Sequence, residues 1–316
     1  MRYFKTLLLL FGMYCLALGD DFEQGVKYYQ DKKYAKALEV FEKLSLQDNA
    51  NAQYNLSIMY KNGYGVRQNE QESLYWLKKA AELENATALN NLAYLYEKGQ
   101  GVEKDLKQAM KLYEQAANLG YAVAQFNVGM LYERFELDNE MLKKAFEWYE
   151  KAANNGFVPA QNNLARLYYF GLGVEKSLEQ AFYWYNQASK QEDSVALFNL
   201  ALMYYQGEGV EKSYDKTLEL LNQSASLGNQ FAQTQLADFY RSGELVNQSY
   251  EEAFFWYFEA AANEYAKAQY YVGLFYYEGY GVEQDKEKGL FWMYKAKENG
   301  YVFATTFLER VSKQKK

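Results

Sequence analysis

The chain holds 316 residues, 49% of them apolar, with 33 Tyr, 20 Phe, one Pro and no His. Without His, Ser-His-Asp and Cys-His nucleophilic sites and His-ligated zinc are excluded, and a single Pro in this length suits an almost continuously helical chain. A net charge of −7 argues against nucleic acid as a partner.

Residues 1–19 open with Arg2 and Lys5, run apolar from Leu7 to Leu18, and end on the small-residue pattern Ala17-Leu18-Gly19 before Asp20-Asp21. This is the layout of a signal peptide, cleaved after Gly19, and the expectation is an exported protein, periplasmic or secreted. The apolar run, about a dozen residues, is shorter than the roughly 20 that span a bilayer, so no stable membrane span is expected once it is removed. The single cysteine, Cys15, lies inside the run. The processed chain would carry 32 bases against 41 acids, with neither a disulfide nor a thiol nucleophile.

Residues 20–47 carry two short helical patterns, Phe22, Val26, Tyr29 and then Ala37, Val40, Phe41, Leu44, and read as an N-terminal capping hairpin of tetratricopeptide-like kind. From 50 to 301 the landmarks recur every 36 residues, seven times without insertion. A small residue opens the first helix of each repeat: Ala52, Ala88, Ala124, Ala160, Ala196, Ala232 and Ala268. Four residues on stands Leu or Val, from Leu56 and Leu92 to Val272, and four more bring Tyr, from Tyr60 and Tyr96 to Tyr276. Spacing i, i+4, i+8 places all three on one helical face.

A glycine pair then ends the helix in most repeats, as at Gly63 and Gly65 or Gly207 and Gly209, because the residue past a helix end is commonly left-handed. The second helix starts from a capping side chain, Asn69, Asp105, Ser177, Ser213, Ser249 or Asp285. It holds all five tryptophans in one register (Trp76, Trp148, Trp184, Trp256, Trp292), opposite small residues such as Ala80 and Ala81. Two repeats depart from the pattern. In the third, Phe135-Glu136-Leu137-Asp138 replaces the glycine pair and Met141 stands at the cap position, so Asn139 is the expected cap; in the sixth, Leu245 replaces the second glycine. Residues 302–316 read as a C-terminal capping helix and polar tail. The expected fold is all-α, an α-solenoid of 36-residue helix-turn-helix repeats.

The succession Ala-x-x-x-Leu, Tyr, Gly-x-Gly-Val, a capping Asp or Ser, Trp-Tyr, Ala-Ala and Gly resembles the Sel-one-like repeat family, a branch of the tetratricopeptide-like α-solenoids, over residues 50–301. The resemblance implies a right-handed superhelix of paired antiparallel helices, used as a scaffold or adaptor for protein–protein interaction, non-enzymatic and without a cofactor. Secreted bacterial members include a cysteine-rich group, some described as β-lactamases or penicillin-binding. This chain lacks their paired cysteines, and a cell-envelope hydrolase acting on β-lactams or peptidoglycan stands as the alternative on that resemblance alone. Ser213-Tyr214-Asp215-Lys216 fits Ser-x-x-Lys formally, but no Ser-Asp-Asn or Lys-Thr-Gly accompanies it. The Gly-x-Gly pairs follow helices rather than strands, so no phosphate-cradling loop is expected.

If Ala52, Leu56, Met59 and Tyr60 face the core, the opposite side of the first helix becomes the concave wall of the solenoid. One row there is Asn55, Asn91, Asn127, Asn163 and Asn199; beside it run Tyr54, Asn90, Phe126, Asn162, Phe198 and, in the last repeat, Tyr270. Amides can pair with the backbone of an extended peptide and rings can anchor it, so a protein or peptide partner is expected on this face. The same amides can instead bond neighbouring helices, and the rings can pack on adjacent repeats. No catalytic or metal-binding residue is expected.

Overall fold

The computed structural model describes residues 21–135 and 138–314; the expected signal peptide lies outside them. Every regular element among the described residues is a helix, and the chain is an α-solenoid of tandem hairpins. It divides into two compact halves between Phe157 and Val158. In the first half, α1 (21–30) and α2 (Tyr34–Ser45) form the leading hairpin, followed by the pairs α3 (Ala50–Asn62) and α4 (Glu70–Glu82), α5 (Ala86–Lys98) and α6 (Leu106–Asn118), and α7 (Ala122–Phe135) and α8 (Asn139–Asn154). The second half pairs α9 (Val158–Phe170) with α10 (Leu178–Ser189), α11 (Ser194–Gln206) with α12 (Tyr214–Ser226), α13 (Gln230–Ser242) with α14 (Tyr250–Ala262), and α15 (Ala266–Glu278) with α16 (Lys286–Glu298); α17 (Val302–Gln314) ends it.

Local chemistry explains the breaks. Asn69, Asp105, Ser177, Ser213, Ser249 and Asp285 each accept a backbone N–H from the first turn of the helix they precede. In the third repeat the cap is Asp138, extended in backbone, which accepts from Glu140 N at 3.4 Å; Asn139, expected in that role, is already the first helical residue. At the end of α3 the chain turns left-handed at Gly63, where the N–H groups of Gly63 and Tyr64 both donate to the Met59 carbonyl. The capping residue then closes the turn, Asn69 N donating to Tyr60 O at 2.9 Å, and the same bond joins Asp105 to Tyr96 and Asp285 to Tyr276. Leu245 holds φ 64, so the sixth repeat keeps the left-handed turn without its second glycine.

The Ala and Leu/Val rows are buried, while the Tyr row is half-buried. Of the tryptophans only Trp184 is buried; the other four are half-buried. The deeper core side chain is the residue after this register, Leu77, Tyr149, Tyr185, Tyr257 or Met293 after a tryptophan and Tyr113 or Leu221 after Leu112 or Leu220. One step along a helix turns the side chain by about 100°, which moves the tryptophan onto the flank of its hairpin. There it covers the preceding repeat: Trp76 packs on the cluster of α2 and α3, and Trp148 on a cluster running from α4 to α7.

Amides tie the two ends of a repeat together and reach back to the repeat before. Gln125, buried, donates to Ala117 O at 3.1 Å and accepts from Asn155 Nδ2 at 3.0 Å. Gln161 accepts from Gln191 at 3.3 Å and Gln269 from Asn299 at 2.9 Å, each thirty residues on. Where the first member of the pair is Leu, at Leu89 and Leu197, so is the second, at Leu119 and Leu227. A buried amide needs a partner and a buried leucine does not, so the two positions change together. Two glutamines lack the bond: the counterpart of Gln53 is Leu83, which has no donor, and that of Gln233 is Asn263, whose amide turns to Glu259 O, so Gln53 Oε1 and Gln233 Oε1 are both buried without a hydrogen bond.

Candidate functional site

The face expected to bind a partner is partly occupied by its own bonds. Asn91 Nδ2 donates to Tyr54 Oη at 3.0 Å, Asn90 Nδ2 to Asn91 Oδ1 at 3.3 Å, and Asn127 Nδ2 to Asn90 Oδ1 at 2.9 Å. The string crosses α3, α5 and α7 and brings four of the candidate residues together. Asn90 is 7% exposed with both ends of its amide engaged, so it joins repeats rather than facing outward. Burial raises the Tyr54 phenol above its ordinary value, opposed by the Asn91 hydrogen bond. Asn55 and Asn199 donate to carbonyls of their own helices, Asn51 O at 2.8 Å and Val195 O at 3.0 Å. Asn162 donates to Asp193 Oδ1 at 2.9 Å, and Asn163 lies half-buried beside it. The rings also have neighbours: Phe126 lies 5.6 Å from Tyr149 and 5.4 Å from Phe157, Phe198 6.0 Å from Phe231, and Tyr270 5.2 Å from Tyr301.

Beside Tyr54 and Asn91 a cleft of about 640 Å³ opens between α3 and α5, over α4. Ile58, Leu74 and Leu77 supply apolar wall, Lys61 a cation, and Tyr94, 44% exposed, a ring. A comparison between repeats explains why it opens there. The buried Tyr113 and Tyr149 donate to Glu97 Oε2 at 3.1 Å and Glu133 Oε2 at 2.8 Å on their own first helices. In the first repeat Leu77 stands in place of that tyrosine and Lys61 in place of that glutamate. The exchange removes a phenol ring and its acceptor together, leaving space with a cation at its edge. Lys61 has no ion-pair partner among the described residues.

The junction of these two repeats is also loose. A Cβ added at Gly101, which lines the cleft, would meet nothing within 4 Å. At the matching Gly65 it would come within 2.7 Å of the Tyr34 backbone, and at Gly209 and Gly281 it would collide with the backbones of Leu178 and Tyr250. Lys61, Leu74, Leu77 and Tyr94 are not singled out by the pattern of the sequence. The signal that marks Leu77 and Lys61 is departure from the repeat, Leu for Tyr and Lys for Glu.

Ser213 and Lys216 serve the helix: Ser213 Oγ accepts from Lys216 N at 3.3 Å as the cap of α12, and Lys216 Nζ pairs with Glu219 at 2.7 Å. Among the described residues no group of three His, Cys, Asp or Glu side chains is placed to hold a metal, and no helix is long and apolar enough to cross a membrane.

Stacked hairpins joined by buried rings and amides, with clefts between successive repeats, define a helical-repeat scaffold. The chain belongs to the Sel1 repeat family, whose repeat matches residues 50–85, 86–121, 122–157, 158–193, 194–229, 230–265 and 266–301. Members of that family are generally protein-interaction scaffolds and mostly non-enzymatic. The chain is similar to a Sel1 repeat protein from Oxalobacter formigenes, at 28% identity and TM-score 0.74 over 94% of this chain and 90% of that one. It is also similar to c5321, a protective antigen present in uropathogenic Escherichia coli strains displaying an SLR fold, at 28% identity and TM-score 0.67 over 93% and 72% of the two chains. Human IFIT1, in a dimer with PPP-AAAA, shares the fold alone, at 19% identity and TM-score 0.51 over 93% and 73%. No curated protein matches the chain.

Proposed function

We propose that this Sel1 repeat protein is an exported scaffold that holds a peptide segment of a partner protein along the concave, first-helix face, anchored in the cleft between α3 and α5. The observation that carries the reading is the exchange of Leu77 for tyrosine and Lys61 for glutamate, which opens a cleft beside two of the expected binding residues, Tyr54 and Asn91. An apolar side chain fits against Leu74 and Leu77, and an acidic group next to it meets Lys61. The exposed Tyr94 ring adds contact area at low entropic cost. Within the same half, Phe126 stands at the position of Tyr54 two repeats on.

The test is site-specific photo-crosslinking in the source cell from position 94, with position 183 on a second helix as control. A partner captured from 94 and lost in Leu77→Tyr, which restores the ring that four of the other repeats carry, supports the reading. Equal capture from 94 and 183, or capture from 94 that survives in a folded Leu77→Tyr chain, overturns it. Export rests on the layout of residues 1–19 and has its own readout: the mature protein from the source cell should begin at Asp20.

A further inference from the structure

Five of the seven repeats carry a tryptophan in this register of the second helix, and Trp76 and Trp148 pack on clusters that include the repeat before them. The second repeat has Leu112 there instead. Beside Leu112 a second cavity, of about 600 Å³, opens between α4 and α6 and is floored by Leu89 and Leu92 of α5. It shares no lining residue with the α3–α5 cleft, so it stands independently of the function proposed above.

Its shape and chemistry follow from the substitution. One repeat on, Trp148 stands in the register of Leu112 and packs on the cluster that runs from α4 to α7. Leucine in that register supplies neither the plane of the ring nor its N–H. The apolar floor is therefore left open, and the amides of Gln108 and Gln115 on the wall can accept a hydrogen bond. The rim carries the carboxylates of Glu82 and Glu84 against Lys78. Glu82 is paired with Lys79 at 2.9 Å, while Glu84 is exposed and has no ion pair among the described residues. We propose that this cavity binds the indole of a tryptophan flanked by basic residues, presented by a peptide segment of a partner protein. The partner's indole completes the register that Leu112 leaves unfilled, and the basic neighbours meet Glu84.

Saturation-transfer NMR on the intact chain tests this with three blocked peptides, acetyl-Lys-Trp-Lys-amide, acetyl-Lys-Ala-Lys-amide and acetyl-Glu-Trp-Glu-amide. The first should show saturation of its indole protons, the second no binding, and the third weaker binding. Leu112→Trp should fill the cavity from within, melt at or above the wild-type temperature, and weaken the first peptide by about tenfold or more. Glu84→Lys, on the exposed rim, should weaken the first peptide and strengthen the third. Equal binding of the tryptophan and alanine peptides overturns the proposal, as does unchanged affinity in a folded Leu112→Trp chain. Should Leu112→Trp fail to fold, Glu84→Lys decides: an unchanged preference between the basic and acidic peptides refutes the site.

Discussion

Gln125 and Asn155 show how a single pair of side chains ties the first helix of a repeat to its closing turn. Their bond is part-buried, with Gln125 in the core and Asn155 at the surface, and replacing Gln125 by Leu removes it at a cost of about 0.5–1.5 kcal/mol. Leucine itself fits, since Leu89 and Leu197 occupy the same position elsewhere. The double variant Gln125→Leu with Asn155→Leu should therefore recover most of the loss, and a double-mutant cycle in urea measures the recovery. The reverse experiment is available at the first repeat. Leu83→Asn offers a donor to the orphaned Gln53 Oε1 while giving up a side chain that is already 40% exposed, and should stabilise the chain by about 0.5–1.5 kcal/mol. A lowered melting temperature would show that the introduced amide does not reach it.

At the level of the element, the second helices bury rings and phenols together. Trp184 is the buried tryptophan, and Trp184→Ala should cost about 3–5 kcal/mol, against clearly less for the half-buried Trp292→Ala; chemical denaturation separates them. The core tyrosines make the fold sensitive to alkali. Burial pushes the Tyr185 phenol up to about 12, opposed by Arg166, and it raises Tyr113 and Tyr257 further, helped by Glu97 and Asp238 respectively. An unfolded tyrosine ionises near 10. Below about pH 10 both states hold their protons and the stability is fully present; above it the unfolded chain loses protons first, so stability falls as pH rises toward the folded values. The melting temperature should be flat from about pH 7 to 9 and fall beyond about 10, less steeply in Tyr185→Phe.

For the molecule as a whole, an array held by neighbour contacts is only as sound as its ends. Phe307, Leu308 and Val311 of α17 form one cluster with Met293 and Ala296 of α16. Ending the chain at Tyr301 exposes that surface. Hydrogen exchange should then show lost protection in α15 and α16 while α3 to α6 keep theirs; uniform loss along the chain would instead indicate a single cooperative unit.

Much of this is legible because a repeat states its own rules many times. The alanine, leucine and tyrosine rows, the capping residues and the left-handed turns depend on the nearest few residues, and the sequence carries them directly. The cap of α8 falls on Asp138 rather than Asn139 because the two compete, and backbone conformation decides between them. The packing depth of the tryptophans and their neighbours needs the second helix to be docked, since the register alone gives a stripe and not which edge of it faces inward. The candidate site is legible only in part. Tyr54 and Asn91 do line a cleft, yet Asn90 and Asn127 bond across repeats, because an amide on a helix face has the same pattern whether it waits for a ligand or meets the next helix. By itself the sequence determined the helices, most of their caps and the 36-residue period, which rest on local properties repeated along the chain. Tertiary structure decided which amides are spent between repeats and where the array gapes, because a missing ring becomes a cavity only when the neighbouring repeat fails to close over it.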